Sequence, residues 1–426
     1  MSLAPHVGAE ALLAPRLEQR ILPGLERMQR ALDALGRPER AFASVLVLGT
    51  NGKGSTAALL AAVLRARGLR AGLYTSPHLI AVEERIRVDG ALIARDRLAD
   101  LVASLGRFPD LSYFETLTCA AVLEFAARGV DVAVMEAGLG GRWDASSAVD
   151  PAVALLTNVG TDHQRWLGTT RAEIAAEKAA ALSGREAIVG AWDPEIEGVI
   201  RASARPGTPL SLAAQWAKVT GVRDRRAAGP PQISAGQRVA FEVGEAHGEA
   251  VLPMLGGHQI ANLALALAGA SALAKHGLAP APDADSIRRG IEDVTWPGRL
   301  QWCEARGRRL LVDGAHNLEA VTALVAALDA IGLSGHAHLL FSCLDDKPLD
   351  AMAALLRPRV TGVTVVPVAS PRARPLADLA AAFPGCGRAA SVDAALLELP
   401  ADRATLVTGS LRLAGEVLAA IGDRHV

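Results

Sequence analysis

The run Ser44-Val-Leu-Val-Leu-Gly-Thr-Asn-Gly-Lys-Gly-Ser-Thr56 joins a short β-branched apolar segment to a glycine-rich turn, and an Ala/Leu-rich helical pattern follows through Arg67. Glycines let a backbone come close to phosphate, and the start of a helix offers free N–H groups at its positive dipole end. Lys53 can reach β/γ phosphates and the Ser55 hydroxyl can contact Mg²⁺, with Asn51, Gly52, Gly54 and Thr56 forming the rest of the cradle. The spacing departs from the usual phosphate loop: Val47 stands where a first glycine would be, and Gly54 separates Lys53 from Ser55. A glycine-rich turn that holds no ligand is the alternative.

Outward from this stretch, strand-like runs alternate with helical patterns. Ala71–Thr75, Asp131–Glu136, Val153–Asn158 and Ala187–Val189 read as strands, and Phe114–Arg128 and Arg171–Leu182 as helices. Such alternation predicts an α/β fold, a mostly parallel sheet covered on both faces. From about 213 to 252 the pattern changes to short alternating runs such as Val239-Ala-Phe-Glu-Val243, expected to form a small β insertion. After the turn at Pro297-Gly298 the alternation restarts, with strands at Arg309–Asp313, His338–Phe341, Gly362–Val366 and Thr405–Val407, and helices at Leu318–Ile331 and from Leu411. The expected division is therefore 1–297, a phosphate-loop ATPase-type domain, and 298–426, a smaller Rossmann-like α/β domain.

Composition narrows the class. Of 426 residues, 50% are hydrophobic and 21% charged, as in a globular protein, and the net charge of −1 implies no broad basic surface for nucleic acid. Four widely spaced cysteines form no disulfide or zinc framework. Met1–Arg20 reads as no signal peptide, and Ile260–Ala274 is too short to span a bilayer. A soluble, cytoplasmic, monomeric protein is expected. Only five of the 44 basic residues are lysine, Lys53 and Lys178 among them, which singles out positions where arginine does not serve.

Ser76, Glu136 and His163 each follow a strand at its carboxyl end, the edge where open α/β sheets bind ligands. Together they make a candidate Mg²⁺ site facing the phosphate loop; a structural ion pair for Glu136 and a hydrogen-bonded loop histidine for His163 are the alternatives. Lys178 adjoins Glu177 in an Ala-rich helix, and a solvent-facing Glu/Lys pair is the ordinary reading.

The phosphate loop resembles that of the Mur ligase superfamily, and its extra glycine favours the folylpolyglutamate synthase family. Tyr74-Thr-Ser-Pro-His-Leu79, Glu84-Arg-Ile-Arg87, Glu136-Ala-Gly-Leu-Gly-Gly-Arg-Trp-Asp144, Thr161-Asp-His163, Glu177-Lys-Ala179, Trp296-Pro-Gly-Arg299 and Asp313-Gly-Ala-His-Asn317 follow in the family's order. Each is weak alone; the ordered set is specific and runs from about Leu22 to Ser410.

The resemblance implies an ATP-dependent ligase that joins L-glutamate to dihydropteroate and to tetrahydrofolate through an acyl-phosphate. It implies Mg²⁺ at Ser55, Ser76, Glu136 and His163, and a second Mg²⁺ held by a CO₂-derived carbamate on Lys178. It assigns Asn262, Arg299 and Asp313 to ATP and puts His316 by the transferred phosphate. Closure across the 297–299 linker is expected to bring Asp313 and His316 to the ATP. Ile21-Leu-Pro-Gly-Leu-Glu-Arg27, with Gly24 and Leu25, resembles the pterin-binding loop. Tyr113, Phe114 and Glu115 resemble the border of the pteroate ring, and Arg142 and Asp144 lie near the same pocket. Leu111–Thr116 reads equally as a helix start capped by Ser112, with Glu115 at the third position. Lys347 resembles a family position, and Ser410 is a candidate for binding glutamate. Trp143 stands where the family more often has a smaller apolar residue. The competing readings are a polyglutamate-only ligase, a Mur ligase for a muramyl acceptor, and a nucleotide switch without ligation. No uridine-binding segment before Gly49 speaks for a Mur ligase, and no Asn-Lys-x-Asp motif for a GTPase switch.

Overall fold

The computed structural model describes residues 8–16, 22–222 and 236–422. Ile21 of the pterin-loop segment, most of Met1–Arg20 and 223–235 of the β insertion lie outside the described residues. The chain divides into two compact units, one made of Met1–Thr220, Ala240–Ala250 and Ala261–Val294, the other of Gly221–Val239, Val251–Ile260 and Thr295–Val426.

The first unit is built on eight strands: β1 Ala43–Leu48, β2 Ala71–Tyr74, β3 Ile86–Val88, β4 Ala91–Leu92, β5 Val132–Glu136, β6 Val153–Leu156, β7 Glu186–Val189 and β8 Leu210–Leu212. Their order is β4-β3-β2-β5-β1-β6-β7-β8. Pairing is parallel from β2 to β8, and β3 and β4 add antiparallel at one edge. β1 lies centrally and reads as one continuous apolar run because helices cover both faces of the sheet. The helix Lys53–Ala66 is buried from Gly54 to Leu64, so it too is apolar all round and shows no polar stripe. The crossover order sends β1, β2, β5 and β6 to the same sheet edge, which gathers the loops after Leu48, Tyr74, Glu136 and Leu156.

A three-stranded sheet, β9 Lys218–Gly221, β10 Gln237–Val243 and β11 Ala246–Leu252, occupies the expected insertion in the order β11-β10-β9. Val239, Phe241 and Val243 alternate inward along β10. The second unit holds β12 Gln301–Ala305, β13 Arg308–Val312, β14 Ala337–Phe341, β15 Val360–Val365, β16 Gly387–Arg388 and β17 Thr405–Thr408, ordered β12-β13-β17-β14-β15-β16. All its neighbours are parallel except β12 and β13. Leu311, Leu339, Phe341, Leu406, Met352 and Phe383 form its core. No helix among the described residues is long and apolar enough to cross a membrane, and all four cysteines are free.

Four strands end earlier than the sequence suggests: β2 at Tyr74, β13 at Val312 and β15 at Val365 by one residue each, and β6 by two. β6 stops at Leu156, because Thr157 and Asn158 turn away to hold the phosphate loop.

Candidate active site

The loop after β1 is fixed from the loop after β6. Thr50 N–H donates to Asn158 O at 3.0 Å and Asn51 N–H to Asn158 Oδ1 at 3.0 Å, while Thr157 Oγ1 donates to Asn51 O at 2.7 Å. Gly160 N–H returns to Thr50 Oγ1 at 2.9 Å. Gly49 has φ +140° and packs so closely on Thr157 that a Cβ would strike Oγ1. Gly52 has φ +83°, and a Cβ there would strike the Asn262 side chain, so Asn262 lies against the loop. Lys53 Nζ donates to Thr50 O at 3.1 Å. Ser55 and Thr56 are buried at the first turn of the helix, and Thr56 Oγ1 is enclosed without a hydrogen-bond partner.

Gly52→Ala adds both a left-handed non-glycine residue and a collision with Asn262, a strain of roughly 1–3 kcal/mol. The expected result is at least about a tenfold loss of ADP affinity in a fluorescence or calorimetric titration, with the melting midpoint lowered by a few degrees by the same strain.

Glu136 ends β5, buried, and accepts from Ser76 N–H at 2.9 Å. This joins two of the candidate metal residues directly. The Ser76 segment is held by Glu84, the first residue of the Glu84-Arg-Ile-Arg87 motif, which accepts from the N–H groups of Leu79, Ile80 and Ala81 at 2.8, 2.7 and 2.5 Å. His163 follows β6 in a left-handed conformation, φ +59°, with its side chain 41% exposed and its N–H donating to Asp162 Oδ1 at 2.8 Å. No group of three or more His, Cys, Asp or Glu that could hold a metal occurs among the described residues.

Lys178 overturns the solvent-facing reading. Adjacent helix residues point about 100° apart, so Glu177 and Lys178 part company. Glu177 turns out to pair with Arg142 at 3.1 Å, while Lys178 is only 3% exposed and donates from Nζ to Gly49 O at 2.9 Å. Burial, reinforced by the nearby Lys53 cation, pulls its amine from 10.5 down to about 7, against the opposing pull of Asp162, Asp144 and Glu177.

Among the residues that the resemblance assigns to the acceptor, the Phe114 ring lies against Gly138, two residues past Glu136. Ser112 and Glu115 form the capping box that the sequence suggests. Glu115 is also fully engaged with Arg27, at 3.0 Å. Asp144 is buried and accepts from the N–H groups of Leu139 and Ser146 at 2.8 and 3.0 Å; burial holds its carboxyl above the usual range. Asp144 thus organises its own loop. Trp143 is 48% exposed.

In the second unit, Arg299, Asp313, His316 and Ser410 meet at the carboxyl ends of β13 and β17. Asp313 accepts from Leu300 N–H at 3.0 Å and Ala315 N–H at 2.8 Å. Arg299 Nη1 donates to Gly298 O at 2.9 Å, and His316 Nδ1 lies 2.8 Å from Gly314 O. Ser410 Oγ accepts from Arg412 N–H at 3.0 Å, capping the last helix. His258, which the sequence reading missed, stands close enough to Asp313 and Arg299 to feel both charges, and burial lowers its basicity. The Gly256-Gly257-His258 run at the mouth of a helix was the available signal. Lys347 is buried beside Asp346, Nζ 3.5 Å away, at the edge of a surface cavity of about 650 Å³ in the same unit.

With this geometry in view, the comparisons with known proteins are specific. Residues 47–270 match the Mur ligase middle domain, and residues 298–416 match the Mur ligase glutamate ligase domain. The Mycobacterium tuberculosis protein named dihydrofolate synthase/folylpolyglutamate synthase is 35% identical over 89% of this chain and 82% of its own. The chain belongs to the dihydrofolate synthase/folylpolyglutamate synthase family of Mur ligases. A Haloferax volcanii member, a probable bifunctional folylpolyglutamate synthase/dihydropteroate synthase, is 35% identical over 93% of this chain, which spans only 48% of that longer protein. Among solved members, Escherichia coli FolC in complex with DHPP and ADP superposes with a TM-score of 0.83 at 28% identity, covering 99% of both chains. A Yersinia pestis member of the family, complexed with AMPPNP and Mn ion, gives 0.80 at 28% identity, covering 99% of this chain and 100% of its own.

The residues fit a nucleotide and a divalent ion. A buried Thr56 hydroxyl without a partner and two glycines that no side chain could replace describe a phosphate cradle. Ser55, Ser76 and Glu136 offer hard oxygen donors, too few to cage an ion unaided. That is how Mg²⁺ is ordinarily held, by one or two carboxylates together with substrate phosphates and water.

Proposed function

We propose that the protein is a cytoplasmic ATP-dependent ligase that joins L-glutamate to dihydropteroate, giving dihydrofolate, and to the γ-carboxylate of tetrahydrofolate, giving folylpolyglutamate. A carboxylate at neutral pH is too poor an electrophile to accept an amine. Transfer of the γ-phosphoryl group to it makes an acyl-phosphate; the glutamate amine attacks that carbonyl and phosphate leaves. The observation that carries the reading is the convergence of the phosphate loop, Glu136–Ser76 and the buried Lys178 at one sheet edge.

The chain's own groups do most of the work by position and charge. Loop N–H groups and Lys53 hold the β and γ phosphates against the helix start. Ser55, Ser76, Glu136 and His163 would hold Mg²⁺, which when bound supplies charge neutralisation at the transferring phosphoryl group. Asn262 steadies the loop. The neutral Lys178 amine is the form that combines with CO₂, and a carbamate there would add a further anionic oxygen donor for a second ion. In the second unit, Arg299 offers a guanidinium for phosphate, Asp313 and His316 flank it, and Ser410 offers a hydroxyl to glutamate. Phe114 and Tyr113, with Gly24 and Leu25, line the aryl acceptor.

The test is incubation with ATP, Mg²⁺, glutamate and either dihydropteroate or tetrahydrofolate, with phosphate release and product mass followed together. Release that needs both glutamate and an acceptor, with a product heavier by one glutamyl residue, is expected. Release from ATP alone, indifferent to both, would favour a nucleotide switch. The Lys178 reading also sets a pH dependence: ¹³C-bicarbonate labelling of Lys178, followed by NMR, is expected to rise through about pH 7 as the amine loses its proton. Labelling that begins only near pH 10 would contradict it.

A further inference from the structure

Arg27, in the first turn of the helix Glu26–Ala34, makes an unusual set of contacts for one side chain. Its Nη2 donates to Leu22 O at 2.6 Å and Gly24 O at 3.4 Å. The same guanidinium meets Glu115 twice, Nη2 to Oε1 at 3.0 Å and Nε to Oε2 at 3.3 Å. Glu115 Oε2 also accepts from Ser112 N–H at 2.7 Å, so the carboxylate is anchored to the start of the helix Tyr113–Ala127. Both partners are sheltered, with side chains 18% and 6% exposed. The residue next to Glu115 is Phe114, whose ring rests on Gly138 just past Glu136. One guanidinium therefore ties a chain segment with no secondary structure, 22–24, to the helix start that borders the carboxyl edge of the sheet.

We propose that Arg27 is the positioning residue of the acceptor site: it clasps the 22–25 segment to Glu115, so that this segment and Tyr113–Phe114 form one fixed lip for the aryl part of the acceptor. This rests on the reading above that the acceptor lies along these residues. The clasp's bonds go to Leu22, Gly24 and Glu115, none of them in the phosphate loop or the second unit, so its effect is expected on acceptor binding alone. Only a planar, five-donor cation reaches two carbonyls and both carboxylate oxygens at once; an ammonium keeps the charge but not the fork. Removing the guanidinium alone strands a buried carboxylate, which threatens folding by itself. The paired change Arg27→Gln/Glu115→Gln leaves no unpaired charge and separates the two effects.

The experiment measures KM for dihydropteroate, ATP and glutamate, with kcat and melting midpoints, in the unaltered protein, Arg27→Gln, Arg27→Lys, the paired variant and Phe114→Ala. In Arg27→Gln and the paired variant, KM for dihydropteroate is expected to rise about tenfold or more, with kcat at saturation within about twofold and the other KM values unmoved. Arg27→Lys is expected to recover part of the loss. An unchanged acceptor KM in the folded paired variant, or a kcat fall shared across all three substrates, overturns the proposal. If Phe114→Ala raises the acceptor KM and the Arg27 variants do not, the clasp alone fails. If neither does, the placement of the acceptor fails and takes the clasp with it.

Discussion

Lys178→Met is expected to lose ligation by about a hundredfold to a thousandfold and yet gain stability at pH 6. The two effects share one cause. The drop of the buried amine from 10.5 to about 7 corresponds to a penalty of roughly 5 kcal/mol on its charged form. Between about pH 7 and 10.5 the unfolded chain binds a proton that the native amine has released, so stability rises with pH through that window. Below about pH 7 both states carry the proton and the penalty is complete. Methionine fills similar space without charge, so its gain in a urea melt is largest at pH 6 and shrinks by pH 9. Lys178→Arg behaves differently: a guanidinium cannot shed its proton there, and the variant is expected to be both inactive and destabilised. A Lys178→Met protein with near-normal turnover would remove the lysine from the chemistry.

Glu136→Gln is expected to cut ligation by about a hundredfold to a thousandfold and to raise the Mg²⁺ concentration needed for half-maximal rate. The amide carbonyl can still accept from Ser76 N–H, the bond that now holds the loop at 2.9 Å, so the melting midpoint should stay close to that of the unaltered protein. Full activity at ordinary Mg²⁺ would show that the carboxylate is only a loop anchor.

Much of this was legible in the sequence, for identifiable reasons. The phosphate loop was readable because its glycines and lysine sit between a β-branched run and an Ala/Leu helix, a local pattern that the fold preserves. Glu136 stood out as a carboxylate at the end of an apolar strand. What could not be read depended on contacts between distant segments. The Lys178–Gly49 contact spans 129 positions and Arg27–Glu115 spans 88. A neighbouring Glu177 made Lys178 look solvated, and only tertiary packing showed that the two side chains diverge. The roles of Glu115 and Asp144 near the acceptor came from the family resemblance, and the capping role of Glu115 from the local Ser112–Glu115 spacing; their bonds to backbone N–H groups and, for Glu115, to Arg27 show what holds them in place. His258 went unnoticed because a lone histidine after two glycines carries little local information.

The acyl-phosphate is the claim on which the rest turns, and oxygen labelling tests it directly. Dihydropteroate carrying ¹⁸O in its carboxylate is incubated with ATP, Mg²⁺ and glutamate, and the released phosphate is analysed by mass spectrometry. One ¹⁸O per phosphate is predicted, because the oxygen that attacked the γ-phosphorus leaves with it. Unlabelled phosphate, with one ¹⁸O kept in the amide carbonyl and the other released as water, would contradict the account.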